Sequence, residues 1–301
     1  MSVLRQVVAH PSNAGRRWLT IGRWTIHNIR RRVSPFRVIT TRVAGRLVTG
    51  PVDHPCVCFA VYVPDGGHEH DAFWALHQLI DPGDLFIDVG ANIGLYAVQM
   101  DRRLGPSGRI LAVEPAPDQV TYLRRNLARL EAHTTLVEAA VADAERHAAF
   151  EPAGPDVGHL VVTPSASARP VVTTTIDAIL GRFDTAPVPA QCVIKIDIEG
   201  WEPAALEGAA NLLRSGQVRG VLIEARDHQQ RSPVRWSSCV SALHAWGYRF
   251  VWPELASGRL HTFDNPPTRS PFGDYVVVST AGFERLERAL RARRLPPIAV
   301  P

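Results

Sequence analysis

The chain has 301 residues, 46% hydrophobic and 21% charged, which is ordinary for a globular protein large enough to bury a sizeable core. No apolar run approaches the roughly 18 residues that span a bilayer, and the beginning lacks the apolar core and cleavage pattern of a secretory signal. The four cysteines, at positions 56, 58, 192 and 239, form neither a disulfide framework nor a zinc-ligand spacing, so we expect a cytoplasmic protein.

Positive charge is concentrated at the beginning of the chain. Residues 1–50 hold ten arginines and no acidic residue, so the remainder carries a net charge of −6 (+4 minus +10). Apolar residues alternate with these arginines: Trp18, Leu19, Ile21, Trp24, Ile26 and Ile29 with Arg16, Arg17, Arg23 and Arg30 to Arg32. Such an arm suits contact with an anionic lipid surface, peripheral to a membrane, with nucleic acid or with an acidic polymer, and the mixture suggests an interfacial helix. The six apolar residues do not gather on one helical face, so a loosely ordered basic leader or a packing extension is the favoured interpretation.

Two strand-like segments follow the basic arm. Residues 36–49 and 56–63 have β-rich patterns, and residues 71–80 have the pattern of a short helix that leads into the first core strand. We therefore predict a basic extension over residues 1–66, partly β, and one main domain over residues 67–301.

Residues 85–96 (LFIDVGANIGLY) predict a buried strand, a turn through two glycines and a helix. Such a turn binds a nucleotide-like cofactor at the carboxyl edge of a parallel sheet. Asp88 would oppose a diphosphate at the helix N-terminus but suits an ammonium and a sulfonium, so we predict S-adenosylmethionine. Gly90 and Gly94 would allow close backbone approach and tight helix packing, and Asn92 would present its amide to the methionine end.

The next predicted strand, residues 108–115 (GRILAVEP), also ends in a carboxylate. Glu114 stands where a carboxylate can accept both hydroxyls of a ribose, a device that NAD-binding folds share. Glu114 therefore supports a nucleoside cofactor but does not distinguish S-adenosylmethionine from NAD. A charge that favours the N-terminus of the following helix, residues 118–131, is the alternative role for Glu114.

A third strand is predicted over residues 134–141, and Asp143 follows it. We predict that Asp143 lies beside the adenine of the cofactor, and a plain turn aspartate is the alternative. Residues 151–170 are rich in Pro, Gly, Ser and Ala, which predicts a loop or a hairpin.

Polar residues alternate through the fourth predicted strand, residues 192–199 (CVIKIDIE), with Lys195, Asp197 and Glu199 on one face. Central parallel strands are usually apolar on both faces, and an unpaired polar stripe would cost stability there. Lys195 is the single lysine of the chain, and we expect it to be paired with a carboxylate.

A fifth strand, residues 220–225 (GVLIEA), ends in Glu224. In the usual doubly wound order, strands one, four and five are neighbours. Four acids then converge at one carboxyl edge, with His228 just beyond: Asp88, Asp197, Glu199 and Glu224.

A converging set of acids suits methyl transfer to a hydroxyl, because the acceptor oxygen must lose a proton. Asp197 is our first choice for the reacting centre, and Glu199, Glu224 and His228 are candidates for the base. Asp197, Glu199 and Glu224 are also candidate ligands of a divalent cation such as Mg²⁺. As alternatives, these acids bind ammonium and hydroxyl groups, Glu199 shapes the turn into a helix over residues 201–213, and His228 is a solvated loop residue.

Four motifs, in the same order, resemble the FkbM-type methyltransferases: residues 85–96, Val113-Glu114-Pro115, residues 174–177 (TTID) and residues 193–202 (VIKIDIEGWE). The resemblance covers about residues 80–225. It implies an α/β fold of the Rossmann-like class I methyltransferase type, with a mostly parallel sheet and helices on both faces. Residues 275–278 are the expected last strand, antiparallel in this class.

The prediction is an S-adenosylmethionine-dependent O-methyltransferase that acts on a hydroxyl of a sugar, a glycan or a glycosylated natural product. A nucleic-acid or protein acceptor is the alternative among methyl-transfer functions. A dinucleotide-dependent oxidoreductase and a non-catalytic protein that binds membrane or nucleic acid through its basic arm are the alternatives from other classes.

Overall fold

The computed structural model describes residues 3–10, 13, 15–33, 37–63, 70–152, 158–161, 165–183, 191–225 and 231–292. Within these ranges, no helix is both long enough and apolar enough to cross a membrane.

An eight-stranded sheet forms the centre of the protein. Its strands in chain order are β3 (Leu85–Val89), β4 (Arg109–Val113), β5 (His133–Val137), β10 (Cys192–Ile196), β11 (Val218–Glu224), β12 (Arg249–Glu254), β13 (Arg259–Phe263) and β14 (Asp274–Val278). Their order across the sheet is β13-β12-β14-β11-β10-β3-β4-β5. The five strands from β11 to β5 are parallel, and β14 is antiparallel to both of its neighbours. The predicted parallel sheet with an antiparallel last strand is confirmed.

Helices cover both faces of the sheet, which explains why its strands are apolar on both sides. One face is covered by α4 (His70–Leu79), α5 (Leu95–Leu104), α6 (Pro117–Leu127) and α11 (Thr280–Arg291). The other is covered by α7 (Ile176–Phe183), α8 (Glu202–Glu207), α9 (Ala210–Arg214) and α10 (Trp236–Ala245). The strand order reverses at β3, because β4 lies on one side of β3 in the sheet and β10 lies on its other side. A crevice opens at such a switch point, here at the carboxyl ends of β3 and β10.

The helix predicted over residues 201–213 is wrong in one respect, because two short helices, α8 and α9, take its place. The break falls at Gly208, which packs so closely that an added Cβ would lie 2.2 Å from the carbonyl oxygen of Ala142. Asp177 stabilises the second helix, since its carboxylate accepts the N–H groups of Asn211 and Leu212 at 2.9 and 3.0 Å.

The extension contains α1 (Val3–Ala9), α2 (Arg17–Val33), a hairpin of β1 (Val38–Val43) and β2 (Arg46–Pro51), and α3 (Pro55–Tyr62). The hairpin confirms the strands expected in residues 36–49. The strand expected in residues 56–63 is wrong, because this segment is a helix. Pro55 occupies its first turn, and the His54 ring caps it by accepting the Cys56 N–H at 3.2 Å. A short, fully apolar run has no periodicity that separates a strand from a buried helix.

The β1–β2 hairpin packs closely against α5 and α6. The Asn126 side chain donates to the carbonyl oxygens of Thr49 and Ile93 at 3.0 and 2.8 Å and accepts the Thr49 N–H at 2.8 Å. Arg46 reaches the buried Asp101 at 2.7 Å. The hairpin and α3 are thereby held beside the helices that begin after β3 and β4.

A second sheet of four strands lies beyond β5. Its order is β6 (Ala140–Val141), β9 (Arg169–Thr174), β7 (Arg146–Pro152) and β8 (Gly158–Val161). The predicted third strand therefore divides into β5 and β6, which belong to different sheets. β7 and β8 pair as an antiparallel hairpin that begins at Arg146, so the loop or hairpin predicted over residues 151–170 overlaps only its second part.

Candidate active site

The glycine turn after β3 is shaped by tight packing. Gly90, Asn92 and Gly94 all have positive φ, at 73°, 54° and 87°. A Cβ on Gly90 would lie 1.9 Å from the carbonyl oxygen of Asp197, and one on Gly94 would lie 2.8 Å from Cδ1 of Leu123. The expected tight helix packing at Gly94 is confirmed. The close approach at Gly90 is to the end of β10, so this glycine joins the two halves of the crevice.

Lys195 connects the turn to the acids. Its Nζ donates to the carbonyl oxygen of Gly90 at 2.9 Å and lies 3.2 Å from Asp197 Oδ2 and 3.7 Å from Asp88 Oδ1. The predicted pairing of this lysine with a carboxylate is confirmed.

Asp88 lies behind the wall of the crevice. Its side chain is fully buried, Oδ2 accepts the Ala97 N–H at 3.2 Å, and burial raises the pKa of the carboxyl against the opposing effect of Lys195. The sequence predicted that Asp88 takes part in cofactor binding. Asp88 is not among the described residues of the crevice wall, and Lys195, which is on that wall, lies 3.7 Å from its Oδ1.

Glu114 follows β4 and lines the crevice. Its two carboxylate oxygens accept the N–H groups of Asn92 and Ala116 at 2.8 and 2.9 Å. Burial raises the pKa of Glu114 to about 7, although both of these hydrogen bonds favour the ionised form. The carboxylate is therefore fixed in position and titrates near neutral pH.

We expect the affinity for S-adenosylhomocysteine to rise about tenfold between pH 6 and pH 8, because a ribose hydroxyl donates more strongly to the ionised carboxylate of Glu114. Calorimetric titration across this range measures the effect. Glu114→Gln should give a flat profile, and Glu202→Gln, which removes the second acid with a pKa near 7, should keep the rise. A flat profile in the unmodified protein would contradict the assignment.

Three acids converge at the other side of the crevice. Asp197, Glu199 and Glu224 each offer a carboxylate oxygen, and these oxygens lie within 4.8 Å of one another. Of the four acids that the sequence predicted to converge, the structure brings these three together, and Asp88 is not part of the group. We call this group the acid trio.

Glu202 holds the loop that carries Glu199. Its carboxylate accepts the N–H groups of Ile198 and Gly200 at 3.0 to 3.1 Å, and burial raises the pKa of Glu202 to about 7. Glu199 and Gly200 have positive φ, at 56° and 108°, so the loop needs this support. The sequence held no local signal for this role of Glu202.

One predicted cofactor residue, Asp143, is not among the described residues of the crevice wall. Asp143 forms an ion pair with Arg146 at 2.7 Å, which lowers the pKa of Asp143. This local ion pair agrees with the alternative, a turn aspartate. His228 lies outside the described residues.

The crevice closes into a cavity of about 370 Å³, a size in the range of small-molecule sites. Sequence reasoning missed several of its lining residues: Pro55, Cys56 and Phe59 of α3, Tyr96 of α5, Phe150 and His159 of the small sheet, Arg169 and Trp201. The Trp201 indole donates to the carbonyl oxygen of Leu160 at 3.0 Å, which attaches β8 to the loop after β10. Both additions to the main sheet therefore contribute to one site.

The wall of the cavity is negative. Its described residues include five acidic side chains, Glu114, Asp118, Asp197, Glu199 and Glu224, against two basic ones, Arg169 and Lys195. A cavity with this balance suits a ligand that carries positive charge and disfavours a diphosphate. The residues present therefore fit S-adenosylmethionine.

The strand order and a cavity at the switch point define a Rossmann-like fold of the class I methyltransferase type. The chain belongs to the family of the methyltransferase FkbM domain, which matches residues 88–250.

A curated relative is the hexuronic acid methyltransferase AglP of Haloferax volcanii, 28% identical over 160 residues. The match covers 52% of this chain and 62% of that protein.

Two solved structures are similar at low TM-scores. A SAM-dependent O-methyltransferase from Thermotoga maritima is 12% identical over 79% of this chain and 76% of its own, with a TM-score of 0.39. Fibrillarin from Aeropyrum pernix, with natively bound S-adenosyl-L-methionine, is 15% identical over 69% of this chain and 75% of its own, with a TM-score of 0.35. The fold assignment rests on the strand order and not on these two matches.

Proposed function

We propose that the protein is an S-adenosylmethionine-dependent O-methyltransferase that acts on a hydroxyl of a sugar, a glycan or a glycosylated natural product. The observation that supports this most strongly is that Glu114 and the acid trio line the same cavity from opposite sides of the switch point. β4 and β11 are three strand positions apart, which puts their ends about 14 Å from each other. A cofactor side and an acceptor side fit within that span.

Glu114 is the group that would bind the ribose hydroxyls of the cofactor. Val113, Pro115 and residues 139–141 supply apolar wall next to it, suited to the flat face of an adenine. The turn at Gly90 and Asn92, fixed by Lys195, would hold the methionine end. When bound, the cofactor supplies an electrophilic methyl group on a sulfonium.

The acid trio is the group that would receive the acceptor. A hydroxyl attacks a methyl group in line and must lose its proton, and Asp197 is the trio member that adjoins both Lys195 and the turn. Lys195 orients the Asp197 carboxylate, and Glu202 keeps the loop of Glu199 in place. We therefore assign Asp197 as the general base, with Glu199 and Glu224 binding the acceptor through its hydroxyls.

The choice of a sugar acceptor is supported by the family and by the named activity of the relative AglP on a hexuronic acid. Incubation of the protein with isotopically labelled S-adenosylmethionine and a panel of hexoses, hexuronic acids and their glycosides tests it. We expect label on a sugar oxygen, located by mass spectrometry. Label found on protein or nucleic acid, with no labelled sugar in the panel, would contradict the sugar assignment.

Activity should be unchanged in EDTA, because Asp197 can accept the proton without a metal. The three oxygens of the acid trio would also fit a cation that prefers oxygen ligands, such as Mg²⁺. Initial rates measured with EDTA, and with EDTA plus excess Mg²⁺, separate the two chemistries. Loss of activity in EDTA that Mg²⁺ restores would contradict direct base catalysis and assign the acid trio to a cation.

A further inference from the structure

The solvent side of α2 carries a continuous apolar stripe. Eight large apolar side chains are exposed in the described part of the chain, and five of them lie on this helix: Trp18, Leu19, Ile26, Ile29 and Val33. At helical spacing these five positions fall within an arc of about 100°. Trp18 is 85% exposed and Val33 is 71% exposed. We call these five residues the α2 stripe.

The opposite side of α2 packs against the protein. Thr20 and His27 are buried, and the His27 ring meets Tyr62 of α3 edge-on at a centroid distance of 5.4 Å. Trp24 packs with Val7 and Tyr62 on this side. The sequence analysis grouped Trp24 with the residues of the stripe and therefore found no clean apolar face. In the structure Trp24 lies on the packed face of α2. Since the inner face is fixed, the stripe points away from the domain.

Arginines border the stripe on both sides. At helical spacing Arg23 and Arg30 fall on one flank, Arg17 and Arg32 fall on the other, and all four are exposed. The helix contains no acidic residue, and its last turn holds Arg30, Arg31 and Arg32. An apolar arc between rows of cations is the pattern of a helix that lies in the plane of a lipid surface.

We propose that α2 binds the surface of an anionic lipid bilayer, with the α2 stripe inserted at the boundary between headgroups and acyl chains. The flanking arginines then contact lipid phosphates at the same depth. The opposite face of α3 lines the cavity through Cys56 and Phe59, so the docked helix and the cavity are separated by a single helix.

Charge and shape favour a lipid surface over other partners. A nucleic acid would engage the arginines but would leave the five apolar side chains in water. A second copy that packed stripe against stripe would bring arginine rows together, and the helix has no acid to pair them. An anionic bilayer satisfies both the apolar arc and the cations.

Flotation of the full chain with vesicles tests the proposal. We expect binding to vesicles made of equal parts of phosphatidylcholine and phosphatidylglycerol, and little binding to phosphatidylcholine alone. Trp18→Ser with Ile26→Ser and Ile29→Ser should lower the partition coefficient at least about tenfold, because the inserted apolar area is lost. Arg23→Glu with Arg30→Glu should also lower it at least about tenfold, and added salt should weaken binding of the unmodified chain.

Two control variants carry the same kinds of substitution at exposed positions outside α2. Val38→Ser with Leu47→Ser and Val172→Ser removes the other three exposed large apolar side chains, and Arg125→Glu with Arg259→Glu makes the same change in charge. Both controls should keep binding, and all variants should keep their affinity for S-adenosylmethionine. The proposal is overturned if the unmodified chain binds neither vesicle, if the controls lose as much as the α2 variants, or if the serine variant turns a dimer into a monomer by light scattering. None of these outcomes depends on the proposed methyl transfer.

Discussion

Replacing Asp197 with asparagine is expected to lower kcat for methyl transfer at least about 100-fold while leaving the affinity for S-adenosylmethionine little changed. Asparagine has the size of aspartate but cannot take the acceptor proton. Lys195 keeps its hydrogen bond to the Gly90 carbonyl oxygen in this variant, so the turn after β3 stays anchored. Steady-state kinetics with a labelled methyl group, together with calorimetry of the cofactor, measure both quantities.

Asp264→Asn is the matched control, because it removes the charge of an exposed aspartate that does not line the cavity. It should leave kcat unchanged. If Asp197 served only to hold the turn at Gly90, its replacement would disturb a wall of the cavity. Cofactor affinity and kcat would then fall together. An unchanged kcat in Asp197→Asn would remove Asp197 from the reacting centre.

Glu114→Ala is expected to weaken binding of S-adenosylhomocysteine about 100-fold. Two hydrogen bonds from ribose hydroxyls to a carboxylate are lost, each worth about 1.5 kcal/mol or more. The N–H groups of Asn92 and Ala116 also lose their acceptor, which loosens the turn next to the ribose. Calorimetric titration measures the loss, and thermal unfolding shows whether the variant remains folded.

Glu138→Ala serves as its control, because Glu138 is an exposed glutamate just after β5 whose partner is Arg124 on the surface. Its loss should leave cofactor affinity unchanged. Equal affinity in Glu114→Ala and the unmodified protein would show that the ribose does not bind at the end of β4.

The sequence predicted the central sheet well because the rules that govern it are local. An apolar run that ends in an acid predicts a buried parallel strand and its carboxyl end, and this held for the strands ending near Asp88, Glu114 and Glu224. The alternation around Lys195 predicted a paired lysine, which the structure confirms at 3.2 Å from Asp197. Strand order then followed from the fold class and brought the acid trio together.

The remaining parts of the site depend on contacts between distant segments. Asp88 was predicted to bind the cofactor, but whether a residue at a strand end lines the cavity is decided by neighbours such as Lys195. The loop support from Glu202 depends on the conformation of residues 198–200. Residues 56–63 became a helix because Pro55 and the His54 cap outweigh an apolar pattern that fits either structure. The placement of Asp88 and the loop support from Glu202 have no signature within a short window, whereas Pro55 at the start of the helix is a local signal that the apolar pattern obscured.

The structure of the basic arm also depends on contacts that the sequence pattern does not show. Its apolar residues gave no clear face in the sequence, because Trp24 belongs to the packed side and the α2 stripe to the solvent side. Only the packing of α2 on α3 separates the two groups. The extension also lines the cavity through Phe59, which no motif in residues 1–66 indicated.

Parallel titrations of the protein with S-adenosylmethionine and with NAD are the most direct test that a negative cavity selects a positively charged methyl donor. The five acidic side chains of the described wall, set against two basic ones, predict saturable one-to-one binding of S-adenosylmethionine and no detectable binding of NAD. Saturable binding of NAD, with no heat from S-adenosylmethionine, would contradict this account of the site.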